Sequence, residues 1–539
     1  MNKSLAFFLL VCLGVRPLAV NAAGDPAQAC EALVSMKLPN TEIKRAVAVS
    51  AGKRAYLMAL FAGIPWIELP ASCRVEAVAR PVPGSEIGFE VWMPTRGWNG
   101  RFQGIGTGGL AGEIDRMWLG LALQKGYAAA TTDSGHRASP DDGEWALNHP
   151  ERITDYGHRG VHEMTVQSKA IVAAYYGRPA DLSYWSGCSN GGRQGLMEAQ
   201  RYPEDYDAIL AGAPALDGSG GVSTWAWNQR VIRDAPDGVK LKGKLDAIER
   251  AVLASCDQVD GVKDGVIDDP RQCTFKPSSM QCSGEQDGDE CLTPSQVQVM
   301  ERLYAGPRGS FGDTATPGLE PGGESGERGW NTLFDGWFSE GPQYHYVLHF
   351  FRYFVYRDPK WSLDRFEFAR DRAAMQREVG EPLDATSPNI RAFVKRGGKL
   401  LLFHGWSDNT LPPRQTVEYY ARLRQDLGEA ADESVQLFMV PGLQHCVFGP
   451  GPDNIGVLTY GQGESPANNV HAALEHWREK GVKPTRLIAA KYASELKALV
   501  NPRLEKPIRT RPLCAWPQVA RWSGNGSTDT AENFRCTTP

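Results

Sequence analysis

An α/β protein, with a mostly parallel sheet covered by helices and a large insertion, is the fold class the sequence predicts. Three observations carry that expectation. Strand-like and helix-like patterns alternate from about residue 85, the alternation stops near Ala215 and resumes at Lys399, and the segment between, 216–398, differs in character. Strands that alternate with helices build βαβ units, whose crossovers set parallel strands side by side under helices.

Taken in order, Ile87, Phe89 and Val91 fall on every second position, the period of a half-buried strand, and Arg101 to Gly106 runs into a glycine-rich turn. Residues 111–125 carry helical periodicity, Tyr127 to Asp133 reads as a strand, and 159–176 as a second helix. Leu182 to Ser186 and Ala208 to Ala211 are short apolar strands separated by a helix that begins near Asn190. After the insertion come a strand at Lys399 to Phe403, a helix over 413–425, a strand at Val435 to Val440 and a helix over 469–480. The insertion holds four cysteines, an aspartate-rich loop, a Gly/Pro-rich stretch from Gly306 to Gly329 and an aromatic run from Tyr344 to Tyr356. It is expected to form a lid domain over a site built by residues 23–215 and 399–539. The Gly/Pro-rich stretch by itself reads as a mobile loop.

Residues 1–22 have the grammar of an export signal. Lys3 supplies the positive start, Leu5 to Leu13 an apolar run, and Val20-Asn21-Ala22 a small-residue cleavage site, so the mature chain is expected to begin near Ala23. That run is far shorter than the roughly 20 apolar residues of a membrane helix. Apolar residues at 42% and aromatics at 9% describe a packed globule, and no run of five like charges marks a nucleic-acid or anionic-membrane partner. The expected location is secreted or periplasmic.

Of eleven cysteines, Cys12 lies inside the signal and ten remain, an even number that in an exported chain points to five disulfides. No C-x-x-C pair argues for structural zinc. Local spacing suggests Cys256 with Cys273, Cys282 with Cys291, and Cys514 with Cys536, and the expected set also pairs Cys30 with Cys73.

Gly187-Cys188-Ser189-Asn190-Gly191 matches G-x-S-x-G between a strand and a helix, the context of a nucleophile elbow in an α/β-hydrolase fold. The pentapeptide alone is also met in ordinary turns. Its partners decide the matter, because an acid and a histidine must follow in the order Ser, Asp, His, each after a strand. Asp408 follows the strand ending at Phe403, and His445 follows the strand ending at Val440. Neutral His445 would take the Ser189 proton, with Asp408 fixing the imidazole tautomer. Backbone donors for the oxyanion are expected from Asn190 and from the turn Gly106-Thr107-Gly108-Gly109, with Thr107 and Gly108 the candidates. His404 is a rival base whose place at a strand end favours a structural role.

Cys188 precedes Ser189 and Cys446 follows His445. A working triad brings Ser189 and His445 within hydrogen-bond reach, so a Cys188–Cys446 bond is expected beside it. This Cys-Ser, Asp and His-Cys constellation resembles the tannase and feruloyl esterase family, which includes mono(2-hydroxyethyl) terephthalate hydrolases. The resemblance runs from Trp98-Asn99-Gly100-Arg101-Phe102 through Gly187-Cys188-Ser189-Asn190-Gly191-Gly192-Arg193-Gln194 to Pro441-Gly442-Leu443-Gln444-His445-Cys446, and on to Arg511-Pro512-Leu513-Cys514 and Asn533-Phe534-Arg535-Cys536. It implies a secreted esterase of aromatic carboxylic esters, with a large lid and a structural calcium ion (Ca2+). The implied ligands are the carboxylates of Asp257, Asp260 and Asp264 and the carbonyls of Val262 and Val266, hard oxygens on a glycine-punctuated loop. Read from the residues alone, the loop departs from an EF-hand in spacing and lacks its terminal bidentate glutamate, and an ordinary solvated acidic turn is the better reading.

The function expected is hydrolysis of a hydroxycinnamate, feruloyl-type ester through an acyl-enzyme. Gallate esters and mono(2-hydroxyethyl) terephthalate are the alternatives within the same chemistry. A non-catalytic protein that binds a phenolic ligand is the alternative of another class, and the intact Ser189, Asp408 and His445 speak against it. Arg352, set among Phe350, Phe351 and Tyr353, is a candidate contact for a substrate carboxylate or ring, or else an ordinary ion-pair partner. Trp330, Trp337, Phe338, Tyr344, Tyr346, Phe350, Phe351 and Tyr353 are expected to supply stacking faces and part of the lid's own core.

Overall fold

The apolar runs of the chain become one nine-stranded sheet in the computed structural model, which describes residues 25–284, 287–308, 316–326, 329–334, 342–456 and 465–539. The expected signal at 1–22, together with Trp337 and Phe338, lies outside the described residues. The strands are β1 (Thr41–Val49), β2 (Ser72–Ala79), β3 (Ile87–Pro94), β4 (Arg101–Ile105), β5 (Ala128–Thr132), β6 (Leu182–Cys188), β7 (Ala208–Gly212), β8 (Lys399–Gly405) and β9 (Val435–Val440). They lie in the order β1-β2-β3-β5-β4-β6-β7-β8-β9. Pairing is antiparallel from β1 to β5 and parallel from β5 to β9. The expectation of a mostly parallel sheet therefore describes its central and C-terminal part, and the N-terminal edge is antiparallel.

Period-two geometry explains how the parallel strands feed two cores. Leu400 and Leu402 of β8, with Leu437 and Met439 of β9, join one hydrophobic cluster, while Leu401, Phe403, Phe438 and Val440 join the other. The first face is covered by α2 (Gly160–Tyr176), α3 (Asn190–Arg201) and α4 (Pro413–Leu427), through residues such as Met164, Leu196 and Leu423. The second is covered by α1 (Arg116–Gln124) and α5 (Val470–Lys480), through Leu119, Leu123 and Trp477. Asp115 caps α1 by accepting from Met117 N and Trp118 N, and Asn469 caps α5 by accepting from Ala472 N.

Between β7 and β8 the chain leaves the sheet. Helices Gly218–Asp234, Leu245–Cys256, Pro294–Ala305, Pro342–His349 and Phe368–Met375 form there, with a core of their own around Ile248, Met300, Leu303 and Trp330. A further cluster joins Phe351, Phe354 and Met375 of this insertion to Leu110, Trp145 and Tyr156, which lie in the connections after β4 and β5. All five disulfides pair as expected: Cys30–Cys73, Cys188–Cys446, Cys256–Cys273, Cys282–Cys291 and Cys514–Cys536. Among the described residues no helix is long and apolar enough to cross a membrane.

Candidate active site

The strand-to-helix turn between β6 and α3 is so tight that Ser189 takes φ 61° and ψ −123°. A non-glycine residue there stores on the order of 1–3 kcal/mol of strain, which the surroundings must hold. They do so through the backbone: Ser189 N donates to Gly212 O at 3.0 Å, and Ser189 O accepts from Arg193 N and Ala215 N. Close approach requires glycine at Gly187 and, in the facing turn after β4, at Gly106. A Cβ on Gly187 would stand 2.4 Å from the Gly191 carbonyl carbon, and one on Gly106 would stand 2.6 Å from Gly191 Cα.

Strand ends deliver the partners. His445, in the turn after β9, places Nε2 2.9 Å from Ser189 Oγ and Nδ1 2.8 Å from Asp408 Oδ2. Asp408, in the turn after β8, is fully buried; its Oδ1 accepts from Thr410 N at 2.8 Å and Leu411 N at 2.9 Å. Burial alone would raise the Asp408 pKa, but the His445 and His404 imidazoles hold it well below the usual carboxylate range. His404 stands on the far side of the acid from Ser189 in the hydrogen-bond chain. Its Nε2 lies 3.1 Å from both Asp408 Oδ2 and Leu411 O, and its Nδ1 lies 2.8 Å from Thr416 Oγ1. Two acceptors around Nε2 put the proton on that nitrogen, so His404 is a second donor to the acid rather than a base.

The turn after β4 faces the same space, with one correction. Thr107 N donates to Gln194 Oε1 at 3.1 Å, so its N–H is already committed, and of the two turn candidates for an oxyanion donor Gly108 remains. Thr107 instead serves through its hydroxyl, which accepts from Gln194 Nε2 at 3.1 Å and Asn190 Nδ2 at 3.3 Å.

Ser189 and His445 open into a cavity of about 590 Å3. Its aromatic lining comes from Trp118, Tyr156, Trp225, Tyr346 and Phe350. Of the aromatics expected to offer stacking faces, Tyr346 and Phe350 reach the cavity, whereas Trp330, Phe351 and Tyr353 are spent in the cores of the insertion. Arg352 does not line it. Two residues beyond Phe350 along a helical turn is the opposite face, and there Arg352 Nε donates to Trp361 O at 2.8 Å. Trp118 and Trp225 are lining residues that the sequence reading misses; Trp118 sits in the first turn of the helix that follows the glycine-rich turn, which is the signal it carries, whereas Trp225 lies mid-way along Gly218–Asp234 and carries no local signal. The ionisable groups in the lining are Glu113, Asp115, Asp217, Tyr156, Tyr346, Arg193 and His445. Arg193 is fully engaged inside the protein, donating to Gly157 O, Tyr156 O and Asn190 Oδ1.

The aspartate loop lies apart from this cavity. Asp257 folds onto its own loop and accepts from Asp264 N and Gly265 N. Asp264 pairs with Arg511 through Oδ2, while its Oδ1 is buried with no hydrogen-bond partner. Burial raises Asp260 to about 6 and Asp268 to about 7, each pushed further by a neighbouring carboxylate. Asp260, Asp264, Val266 and Asp268 share one small concavity. Orphaned and desolvated hard oxygens of this kind fit a divalent cation, and Asp268 is a carboxylate the expected ligand set omits.

The strand order, the elbow and the Ser189, His445 and Asp408 geometry define an α/β-hydrolase fold. Residues 73–537 match the family model of tannase and feruloyl esterase, and the chain belongs to that family. An uncharacterized esterase of Xanthomonas campestris pv. campestris is 38% identical, over 96% of this chain and 92% of its own. The mono(2-hydroxyethyl) terephthalate hydrolase of Piscinibacter sakaiensis is 31% identical, over 87% and 85% respectively. The crystal structure of feruloyl esterase B from Aspergillus oryzae superposes with a TM-score of 0.84 at 25% identity, covering 95% of this chain and all of that one. The protein is thus a carboxylic ester hydrolase.

Proposed function

We propose that the protein hydrolyses small, uncharged esters of aromatic acids, of the feruloyl type, through a Ser189 acyl-enzyme. The observation that carries this reading is the continuous Ser189, His445 and Asp408 hydrogen-bond chain at the floor of an aromatic-lined cavity. His445 Nε2 takes the Oγ proton as Ser189 attacks the ester carbonyl. The N–H groups of Asn190 and Gly108 receive the oxyanion; one such donor typically contributes about 3 kcal/mol. His445 returns the proton to the leaving alcohol, then activates the water that releases the acid. Asp408 holds Nδ1 protonated throughout and stabilises the imidazolium.

Charge in the cavity supports an uncharged acyl group over terephthalate. A mono(2-hydroxyethyl) terephthalate carboxylate needs a cation, yet the lining offers three carboxylates, and its arginine is satisfied by backbone carbonyls and Asn190. The insertion acts as a lid, contributing Trp225, Tyr346 and Phe350. Asp257, Asp260, Asp264 and the Val262 and Val266 carbonyls hold a structural calcium ion, with Asp268 beside them. The ion's contribution is to neutralise this acidic loop. Residues 1–22 direct export, consistent with five disulfides. The test of the reading is trapping: an aromatic p-nitrophenyl ester should give a burst and an acyl adduct on the peptide bearing Ser189. Turnover with no adduct on that peptide overturns it.

A further inference from the structure

One ionisable cluster has no part in the esterase chemistry. His162 on α2, Glu198 on α3 and Asp205 in the connection from α3 to β7 bring one ligand atom each to within 4.8 Å of one another. It is the only such group of three or more among the described residues. His162 Nδ1 is 2.7 Å from Asp205 Oδ2. Glu198 is 1% exposed, and neither of its carboxylate oxygens has a hydrogen-bond donor. The nearby cation does not resolve this, because Lys169 Nζ donates to the backbone carbonyl of Asp205.

We propose that His162, Glu198 and Asp205 form a site for a divalent transition-metal ion of the zinc class, which ties α2 to α3. The ligand set is one imidazole and two carboxylates, the mixed nitrogen and oxygen donors that suit Zn2+ better than Ca2+ or Mg2+. Ligands around an ion with bonds of about 2.0–2.2 Å stand roughly 3 Å apart. The His162 and Asp205 atoms are already near that separation, and Glu198 closes the set by a small side-chain shift. The imidazole plane is held in place by its neighbours, since Tyr202 stacks on His162 at 3.8 Å and 10°, and the Tyr202 hydroxyl is 2.7 Å from His158 Nδ1. Entry is through His162, the ligand that is part exposed, with 30% of its side chain in solvent. Glu198 lies nine residues beyond Ser189, about 13 Å along the α3 axis, so the ion has no access to the reacting atoms. Its effect is to fasten the far end of the helix that carries the nucleophile. The competing state is a proton shared between Glu198 and Asp205 with no metal.

The experiment is equilibrium dialysis of untagged, chelator-stripped full-length protein against Zn2+ in excess Ca2+, which keeps the aspartate loop saturated. One equivalent of Zn2+ is expected per chain, with a rise in Tm. His162→Gln and Glu198→Gln should each weaken binding at least roughly tenfold. Asp260→Asn should leave it unchanged. Because Glu198 is buried and its variant could fail to fold, His162→Gln at the part-exposed position is the decisive variant. Absence of Zn2+ binding by the folded protein, or binding that survives His162→Gln undiminished, overturns the proposal and leaves the shared proton.

Discussion

Cys188 and Cys446 are bonded across 258 residues of sequence with their Cα atoms 6.0 Å apart. Each is the immediate neighbour of a residue proposed to react, and Ser189 and Cys446 both sit at positive φ, 61° and 66°. The bond therefore clamps two strained turns whose Ser189 Oγ and His445 Nε2 atoms face each other at 2.9 Å. For a loop of this length the chain-entropy stabilisation is on the order of 5 kcal/mol. The Cys188→Ser, Cys446→Ser double variant should melt at a lower temperature and lose roughly a hundredfold in kcat, the usual cost of a displacement of about 1 Å at a reacting pair. Calorimetry and ester turnover measure both. An unchanged kcat would show that the clamp has no bearing on alignment.

Replacing the proposed nucleophile separates chemistry from folding. Ser189→Ala should keep the wild-type circular dichroism and Tm while turnover falls by at least about a thousandfold, leaving only the rate that binding and oxyanion donors sustain. Relief of the strained Ser189 backbone is not expected, because alanine meets the same φ. A variant that retains a tenth of the rate would require another nucleophile.

His404 is a positioning residue, since it reaches the chemistry only through Asp408 Oδ2 at 3.1 Å. His404→Asn deletes a hydrogen bond to a buried charge, worth roughly 1.5–3 kcal/mol. The expected signature is a drop of about ten- to a hundredfold in kcat with KM nearly unchanged, since the residue does not line the cavity. An effect confined to KM would refute the positioning role.

The triad is legible in the sequence because each member belongs to a local pattern: an apolar run, then a turn of fixed composition. Asp408 after β8 and His445 after β9 need no knowledge of tertiary contacts beyond parallel strand order. The N-terminal edge escapes for the opposite reason. β1 has a single buried residue, Ile43, and β2 carries Arg74 and Glu76 on its other face, so neither reads as an apolar run even though β2 alternates in burial. The roles of Thr107 and Arg352 are hidden because they depend on distant partners, Gln194 for the first, and on the folding-back of Trp361 for the second. Trp225 is held at the cavity by an indole that donates to Thr410 O, 185 residues away.

Calcium removal should act first on stability. The Asp260, Asp264 and Asp268 carboxylates share a concavity with Arg511 and Leu513 and with Pro441 at the base of the turn that carries His445, so the ion would tie the insertion to the C-terminal strands and to that turn without lining the cavity. Any ligand selective for the folded state stabilises it by RT ln(1 + [L]/Kd). Chelation should therefore lower Tm, restored by added Ca2+, and Asp260→Asn should abolish the response. A melting curve unmoved by verified calcium removal would refute the site.

Substrate preference is set by what the cavity can and cannot solvate. Trp225 and Tyr346 pack with ring centroids 5.5 Å apart at its wall, and Trp118, Tyr156 and Phe350 complete an apolar lining suited to a flat acyl group. An aromatic contact in favourable geometry contributes roughly 0.5–1.5 kcal/mol beyond burial. Two such contacts correspond to about a five- to hundredfold gain in kcat/KM over an acyl group that cannot stack. A free carboxylate on the ring reverses that gain. It would enter beside Glu113, Asp115 or Asp217 with Arg193 already committed to Gly157 O, Tyr156 O and Asn190 Oδ1, so its desolvation goes uncompensated. The order expected for kcat/KM is methyl ferulate first, methyl gallate next because its extra hydroxyls must be desolvated, then mono(2-hydroxyethyl) terephthalate, with a p-nitrophenyl long-chain ester slowest relative to its intrinsic reactivity. Phe350→Ala and Trp225→Ala should lower the ferulate value while leaving that of a small acetyl ester nearly unchanged. Preference for the fatty ester would sink the aromatic-acyl reading. Preference for terephthalate would keep the Ser189 mechanism and show that a cation reaches the carboxylate in the complex.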